Sequence, residues 1–294
     1  MARTTVSSEF STNGATLSRL AQQALGIGVT GVTAALGVAI RDTLGLGIDR
    51  REIVLPALPA ELHGIRILHV SDLHAGFGPG LALLRRTVAV ASTEAPELIA
   101  VTGDLVTRRR AAGRAVDLLD RLADCATCGA FAVLGNHDLG VANDPFAQGF
   151  EPAFERLALL DGRATAVTVR GMPIAIGGVA ARAYLAGASG AELVPDRPEG
   201  TALSVLLCHF PALLERLPPG ACDLMLAGHL HGGQICVPWP GGRKSLAHPS
   251  AGTGRAIGVR EGTTCHVSAG IGTTFVPVRA LAPATISLLT LVAR

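Results

Sequence analysis

The stretch Ile65–His74 reads IRILHVSDLH and contains the pattern that decides the fold. A short apolar run, Ile65–Val70, is followed at once by the polar residues Asp72 and His74. The next apolar runs end in the same way, Leu98–Thr102 before Gly-Asp at 103–104 and Ala130–Leu134 before GNHD at 135–138. Helical periodicity separates the runs, at Leu81–Thr93 and Arg114–Ala123. Strands that alternate with helices predict a layered α/β domain.

Several further elements are predicted on either side of this pattern. REIVLPALP, residues 51–59, predicts an edge strand followed by a turn, because Pro56 and Pro59 cannot donate to a ladder. A helix is expected over Pro145–Leu160, with Asn143 or Asp144 as its N-cap. The remaining predictions are a hairpin of Ala164–Val169 and Met172–Gly178, a short helix at Ala212–Leu217, and strands at Leu203–Cys208, Leu224–Ala227, Thr264–Ser268 and Thr285–Leu291.

Polar side chains follow five of these apolar strands at the point where each strand ends. They are Asp72 and His74, Asp104, Asn136 with His137 and Asp138, His209, and His229 with His231. Ligands of layered α/β sheets bind at the carboxyl ends of the strands. A single histidine at a strand end is more often structural, but five such ends together predict one site.

The spacing and chemistry of these residues indicate a metal site. Asp72 with His74, and His229 with His231, are i, i+2 pairs, which point to one face of an extended backbone. Neighbouring glycines allow a close backbone approach. Carboxylate, imidazole and amide ligands suit divalent ions such as Mn, Fe or Zn.

Composition excludes several other classes of protein. The chain has 294 residues, 49% of them hydrophobic and 16% charged, which excludes a disordered protein. Its formal charge of +2 and its aromatic content of 3% argue against binding of a nucleic acid polymer. Six cysteines are too few for a disulfide scaffold, and Cys125-x-x-Cys128 is interpreted as reduced thiols rather than a redox pair or half of a zinc site.

The N-terminal part contains an uncharged run, Ala21–Ile40, of 20 residues. A helix of this length spans the hydrocarbon core of a bilayer. A cleaved signal sequence and a buried or amphipathic helix are the alternatives. We divide the chain into an N-terminal segment, 1–49, with a candidate membrane helix at 21–40, and a catalytic domain, 50–294.

The motifs SDLH, GD, GNHD, H and GHLHGGQ occur in this order between Ser71 and Gln234, over more than half of the chain. In this the chain resembles the calcineurin-like metallophosphoesterase superfamily. Its closing segment, SAGIGTTFVPVRALAPATISLLTL, is similar to that of the YkuE-type bacterial branch, whose members often carry an N-terminal membrane segment. The resemblance implies a four-layer α/β/β/α sandwich with a dinuclear centre.

The resemblance also implies a role for each motif residue. Asp72, His74 and His231 would hold one metal, Asn136, His209 and His229 the second, and Asp104 would bridge both. His137 would act as the catalytic residue that contacts phosphate, steered by Asp138. Ala269 and the residues after Gly178 and His209 depart from the branch pattern, which leaves the substrate open while every ligand is retained.

The expected activity is hydrolysis of phosphodiester or pyrophosphate bonds by a water activated between two divalent metals, with manganese favoured over iron or zinc. A membrane or envelope-related substrate such as UDP-diacylglucosamine is one candidate. The protein itself is then expected at the bacterial inner membrane. The alternatives are a soluble, cytoplasmic nucleotide phosphodiesterase or phosphatase, and a non-catalytic interaction member of the fold, which would require broken ligands. The oligomeric state stays open.

Overall fold

The structure is a computed structural model that describes residues 32–141, 145–240, 242–246 and 257–293. One six-stranded sheet has the order β1-β14-β2-β3-β4-β5. Its strands are β1 (Gly47–Leu55), β2 (Arg66–Val70), β3 (Leu98–Thr102), β4 (Gly129–Val133), β5 (Ala158–Leu159) and β14 (Thr285–Ala293). Strands β2 to β5 are mutually parallel, β14 runs antiparallel to β2, and β1 lies parallel to β14 at the edge.

A second six-stranded sheet has the order β12-β13-β9-β8-β7-β6. Its strands are β6 (Ala164–Val169), β7 (Met172–Gly178), β8 (Leu203–Leu207), β9 (Leu224–Ala227), β12 (Ile257–Arg260) and β13 (Thr263–Val267). Strands β7, β8, β9 and β13 are parallel, and each edge is an antiparallel hairpin strand. A separate hairpin pairs β10 (Cys236–Trp239) with β11 (Gly242–Ser245).

Helices pack on the outer face of each sheet, whereas most of the described part of the first helix is exposed. The described part of α1 covers residues 32–44. The others are α2 (Gly80–Glu94), α3 (Ala112–Ala123), α4 (Ala181–Leu185) and α5 (Gly190–Leu193). One core lies between α2, α3 and the first sheet, a second between the two sheets, and a third beneath the second sheet. The four-layer α/β/β/α prediction is therefore confirmed.

Most of the predicted elements are present within one or two residues of their expected bounds. The hairpin of β6 and β7 turns at Arg170-Gly171, and β1 is the expected edge strand. The short helix near 212–217 is a 3-10 helix, Pro211–Arg216. The strands end together because their hydrophobic runs fill the buried positions between the layers, which leaves the polar residues beyond each run at one edge.

The helix predicted over Pro145–Leu160 is wrong. Residues 145–157 form turns and irregular backbone, followed by the two-residue strand β5. The backbone amides of Glu155, Arg156 and Leu157 donate to the Asp120 carboxylate of α3, and the amide of Phe150 donates to the carbonyl of Asp138. These tertiary partners replace the helical hydrogen bonds. The proposed N-cap, residue 143 or 144, lies outside the described residues.

The N-terminal region is described only from residue 32, so residues 21–31 of the uncharged run lie outside the described residues. In the part of the chain that the structure covers, no helix has both the length and the apolarity that crossing a bilayer requires. Strand β1 begins at Gly47. The division of the chain at residue 50 stays a prediction.

Candidate metal centre

The polar residues that follow the strands meet at one edge of the sandwich. This edge collects the carboxyl ends of β2, β3 and β4 from the first sheet and of β8 and β9 from the second. The residues brought together are Asp72, His74, Asp104, Asn136, His137, Asp138, His209, His229 and His231. Parallel strands from two facing sheets thus deliver ligands to a single crevice.

One group of ligand atoms comes from Asp72, His74, Asp104 and His231, all of them buried. The Nε2 atoms of His74 and His231 lie 3.0 Å apart. His231 Nε2 is 3.4 Å from Asp72 Oδ1, and His74 Nε2 is 3.6 Å from Asp104 Oδ2. Ligand atoms this close, from two carboxylates and two imidazoles, can surround one divalent ion.

A second group contains Asp104, His209 and His229. His209 Nε2 lies 3.3 Å from Asp104 Oδ2 and 3.2 Å from His229 Nδ1. Asp104 therefore belongs to both groups, and the residue is 1% exposed. A carboxylate has two oxygens with which to contact two neighbouring ions.

The backbone at these positions is left-handed rather than extended, which corrects the expected geometry of the i, i+2 pairs. Strands β2 and β9 end at Val70 and Ala227, before the ligands begin. Five of the eleven described non-glycine residues with positive φ are predicted ligands: Asp72, His74, Asp104, His229 and His231, with φ between 48° and 75°. Such strain clusters at functional sites because the surrounding structure has to enforce it.

Two glycines leave the space that the carboxylates occupy. A side chain at Gly135 would collide with the carboxylate of Asp104, and one at Gly228 would lie 2.8 Å from Asp72 Oδ2. The sequence-based expectation of close backbone approach holds at both positions. Their lack of a Cβ is a requirement of the site rather than of the turn.

Asn136 supplies an observation on whether the residues fit a metal. Among the described residues, its buried Oδ1 has no hydrogen-bond partner. The next residue, His137, donates its backbone N–H to Asp104 Oδ1 over 2.9 Å, which places Asn136 beside the second group. A buried amide oxygen without a donor carries a free-energy cost, and a cation offsets it. The donor set and this oxygen fit a divalent metal centre.

His137 lies over the same carboxylate. Its Nε2 is 3.9 Å from Asp104 Oδ2, its ring meets the ring of His74 edge-on at 4.5 Å, and its Nε2 is 3.5 Å from Thr274 Oγ1. The side chain therefore stands next to both groups of ligands, within reach of a bound substrate.

The carboxylate of Asp138 accepts hydrogen bonds from backbone amides. Oδ1 accepts the N–H groups of Leu105 and Val106 over 2.8 and 2.9 Å, and Oδ2 accepts that of Gly135 over 2.9 Å. These bonds join the loop after β3 to the loop after β4, so Asp138 sets where Asp104 and Asn136 stand. Burial raises the pKa of Asp138 to about 7, with the nearby Asp104 acting in the same direction.

The electrostatics of the crevice favour the neutral imidazole at His74 and His231 and the protonated one at His209. Burial lowers the pKa of His74 to about 3 and that of His231 well below its ordinary value. Burial would also lower the pKa of His209, but the Asp104 carboxylate outweighs it and the pKa rises to about 9. Burial raises the pKa of Asp72 to about 6. A cation that replaces the proton of His209 would meet a site already organised for positive charge.

Several residues that orient the ligands were missed by sequence reasoning. Thr107 Oγ1 lies 2.9 Å from His74 Nδ1, and the Thr102 carbonyl accepts from His209 Nδ1 over 2.8 Å. Arg279 is fully buried, and its guanidinium donates to the carbonyls of Gly272, His231, Ala282 and Ala269. Its signal in the sequence is a single arginine inside an apolar tail, VPVRALAP. Outer hydrogen bonds of this kind fix the rings that bind a metal.

The cysteine pair lies at the other end of the first sheet. Cys128 donates its amide to the Glu97 carbonyl, next to the start of β3, and both Cys125 and Cys128 are free thiols. Burial raises the pKa of Cys125, which makes it less reactive. His69 of β2 and His266 of β13 face each other between the sheets, with 2.9 Å from Nδ1 to Nδ1.

The comparisons with known proteins agree with this geometry. The family model described as calcineurin-like phosphoesterase matches residues 65–233, more than half of the chain. Over 239 residues, 80% of this chain and 81% of the relative, the chain is 27% identical to the uncharacterized metallophosphoesterase YkuE of Bacillus subtilis.

Two further relatives have names that state an activity. The UDP-2,3-diacylglucosamine pyrophosphatase LpxG of Chlamydia trachomatis is 26% identical over 66% of this chain and 72% of its own length. The phosphodiesterase YaeI of Escherichia coli is 29% identical over 60% of this chain and 64% of its own length. Because the family model matches more than half of the chain, the chain belongs to the calcineurin-like phosphoesterase family and is a hydrolase of phosphoric esters.

Proposed function

We propose that this chain hydrolyses a phosphodiester or pyrophosphate bond at a centre of two divalent metals. Asp72, His74 and His231 would hold one metal, and Asn136, His209 and His229 the other, with Asp104 shared. The sharing of Asp104 by both groups of ligand atoms carries the proposal. Manganese is the metal we expect first, with iron and zinc as alternatives, since the site offers oxygen and nitrogen ligands without thiolate.

The metals, when bound, would supply a water of lowered pKa and neutralise charge on the phosphoryl oxygens. Residues of the chain position the ligands and the reacting groups. Asp104 fixes where the two groups of ligands meet. The three backbone amides that donate to the Asp138 carboxylate keep the loop after Asp104 in place. His137 stands beside Asp104, where its imidazole can stabilise the developing charge or hold the proton for the leaving oxygen.

A lipid-linked or other envelope-related phosphoester is the substrate class that we favour. The support is the likeness to a relative named for cleavage of UDP-2,3-diacylglucosamine and the apolar run at 21–40. We propose accordingly that the protein associates with a bacterial inner membrane. Polymeric nucleic acid is not the expected substrate, because the chain lacks a strong excess of basic charge.

The proposal is tested by Mn²⁺-dependent hydrolysis of bis-p-nitrophenyl phosphate by the full chain. Asp104→Ala removes the shared carboxylate, and we expect loss of both metals together with a fall in kcat of at least about 10³-fold. Asp117→Asn, an exposed change on α3, is the matched control and should leave both properties unchanged. Metal content is measured by plasma mass spectrometry.

The possible results separate the alternatives. Activity that requires metal and disappears in Asp104→Ala supports the dinuclear phosphoesterase. Two bound metals without activity on this ester direct the search to lipid-linked pyrophosphates and to nucleotides, assayed side by side. A folded chain that binds no divalent metal would contradict the proposal and favour the non-catalytic member of the fold.

A further inference from the structure

Three segments that are joined to one another beside the metal centre carry exposed apolar side chains. We call this surface the apolar rim, and it comprises α1, the β10–β11 hairpin with Leu246, and the loop 273–283. Its exposed apolar side chains are Val32, Leu36, Ile40, Leu44, Trp239, Leu246, Phe275, Val276 and Val278. The four on α1 recur every fourth residue and so form one row along the helix. A large contiguous apolar patch on a surface marks a place of contact.

Hydrogen bonds join the three segments into one unit. The Arg279 amide donates to Thr43 Oγ1 over 2.8 Å, which fastens the end of α1 to the loop. The Cys236 amide donates to the Ala280 carbonyl over 2.9 Å, and the Arg243 guanidinium donates to the Leu281 carbonyl. The exposed side chains therefore stand on neighbouring backbones rather than at scattered points.

The same unit borders the metal centre. Gln234 donates its side-chain amide to the carbonyls of Thr274 and Val276, over 2.8 and 3.0 Å. Thr274 Oγ1 lies 3.5 Å from His137 Nε2, and Arg279 holds the carbonyl of His231. A surface that covers the exposed side chain of Phe275 would therefore lie directly beside the metal centre.

The apolar rim carries an excess of positive charge. Residues 32–44, 236–246 and 273–283 contain the basic residues Arg41, Arg243, Lys244 and Arg279 and the acidic residue Asp42. Their formal charge is thus +3, although the whole chain has only +2. Asp42 is buried and bonded to Arg41, so Arg243 and Lys244 set the charge that an approaching surface meets. Apolar side chains flanked by basic ones fit an anionic lipid surface.

The residue types within the apolar rim agree with this partner. Trp239 is 56% exposed, and the Lys244 ammonium lies 4.8 Å from the centre of its ring. Tryptophan with a neighbouring lysine is typical of the level of lipid headgroups, where the ring is partly buried and the ammonium reaches phosphate. Phe275, 53% exposed, directly follows Thr274, whose Oγ1 lies 3.5 Å from His137 Nε2.

We infer that the apolar rim docks on an anionic phospholipid bilayer, with α1 and the two loops in the headgroup layer and the metal centre facing the membrane. A phosphoester whose lipid part stays in the bilayer could then reach the centre without leaving it. The inference rests on the proposed function for that substrate class. The apolar rim itself is defined by its exposed apolar side chains, by the hydrogen bonds that join its three segments and by its positive charge.

The single tryptophan of the chain is a built-in reporter, since Trp239 lies in the apolar rim. The full chain is mixed with vesicles of phosphatidylcholine, with or without phosphatidylglycerol, that carry brominated acyl chains. We expect a blue shift and quenching of Trp239 on the anionic vesicles, weaker effects on the neutral ones, and reversal by salt. Quenching is compared at equal amounts of bound protein, measured by flotation, so attachment through another part of the chain does not count.

Two variants make the test specific. Phe275→Ser with Val278→Ser should reduce the quenched fraction roughly tenfold, because two apolar anchors are removed. Val259→Ser is the matched control: Val259 is an exposed apolar residue on β12, outside the three segments, and its replacement should leave quenching unchanged. Circular dichroism verifies that each variant is folded.

Other occupants of the apolar rim give different results. Bound protein with unquenched Trp239, or no binding to anionic vesicles, overturns the inference. Trp239 that acrylamide cannot quench in the absence of vesicles means that another part of the chain, or a second copy, already covers the surface, which also overturns it. The vesicle assay involves no hydrolysis, so it can fail independently of the metal and phosphodiesterase assays. Quenching by a folded chain that binds no divalent metal contradicts the proposed function alone, and metal-dependent hydrolysis without quenching contradicts this inference alone.

Discussion

His137 is the residue whose role is most directly separable from metal binding. It lies next to the Asp104 carboxylate but belongs to neither group of ligand atoms. We expect His137→Gln to keep both metals and to lower kcat by about 10²- to 10⁴-fold, the usual contribution of a proton-transferring side chain. Single-turnover hydrolysis together with metal content measures the two effects. A variant with unchanged kcat would contradict this role.

Arg279 acts through other residues, because its guanidinium binds four carbonyls and one of them belongs to His231. Arg279→Met keeps much of the volume but leaves these carbonyls without donors. We expect a loss of about 3 kcal/mol in the free energy of unfolding and a weaker affinity for the metal that we propose His231 binds. Denaturant titration and metal competition measure the two changes.

The matched control for Arg279→Met is Arg114→Met, on the exposed side of α3, which should alter neither quantity. Arg279→Lys gives a further distinction, because a lysine can bind one or two carbonyls but cannot reach four. Its metal affinity should lie between those of the wild type and Arg279→Met. Equal metal affinity in all three proteins would contradict a positioning role.

The residue types at the site could be predicted from the sequence, whereas their backbone conformation could not. Asp72, Asp104 and His209 follow apolar runs that can only be buried strands, so their place at one edge follows from topology. The left-handed turns at Asp72 and Asp104 are enforced by partners far away in the chain, as when Gly272 donates its amide to the carbonyl of Asp72. Local sequence contains no signal of such a partner, and Arg279 was missed for the same reason.

At the scale of the elements, the starts of α2 and α3 offer a paired test. A side chain at Gly80 would collide with the carbonyl of Leu73, whereas one at Gly113 meets nothing within 4 Å among the described residues. Gly80→Ala should therefore destabilise the protein by about 2 kcal/mol, and Gly113→Ala should stabilise it by about 0.5 kcal/mol. Thermal and urea unfolding measure both changes, and equal effects in the two helices would contradict the interpretation.

Hydrophobic periodicity does not account for tertiary hydrogen bonds, which is why the helix predicted over 145–160 is wrong. The segment 145–160 has apolar residues at helical spacing, but Gly149 has a φ of 63° and Asp120 supplies acceptors for three of its amides. A carboxylate on a distant helix can thus replace the local ladder. The strands are predicted better, because an apolar run of five residues between turns can be satisfied only inside a sheet.

At the scale of the whole molecule, Glu97 ties the two sheets together at the end opposite the metal centre. Its carboxylate accepts the Arg66 amide of β2 over 2.9 Å and pairs with the Arg170 guanidinium, at the β6–β7 turn, over 2.6 Å. Burial works to raise the pKa of Glu97, but these two partners outweigh it, and the pKa lies below its ordinary value. The contact therefore stabilises the fold while Glu97 is ionised.

Glu97→Gln should reduce the free energy of unfolding by about 1 kcal/mol at pH 7, since the pair is partly exposed. The folded-state pKa is depressed, so the contribution is complete above the unfolded value of about 4.3 and is lost as the pH falls through the folded value. The difference between wild type and variant should shrink below about pH 4. Glu61→Gln, at an exposed position, is the control, and a constant difference down to pH 2 would contradict the assignment.

The pairing of the strands is the part of the fold that composition and periodicity do not specify. The last strand, β14, lies between β1 and β2, and it reverses the direction of the sheet there. Nothing in its apolar sequence distinguishes this place from the free edge beside β5. The two-sheet sandwich is implied by the resemblance to a known family, whereas the apolar runs predict only its separate strands.

The left-handed ligand positions have a consequence for descent. Each of Asp72, His74, Asp104, His229 and His231 holds a conformation that a residue with a Cβ adopts at a cost of about 1 kcal/mol, and that glycine adopts freely. Selection for hydrolysis therefore works against selection for stability at the same codons. In a lineage that no longer needs the reaction, these positions are where mutation to glycine would be retained first, so an inactive descendant would be recognised by its glycines before its core had changed.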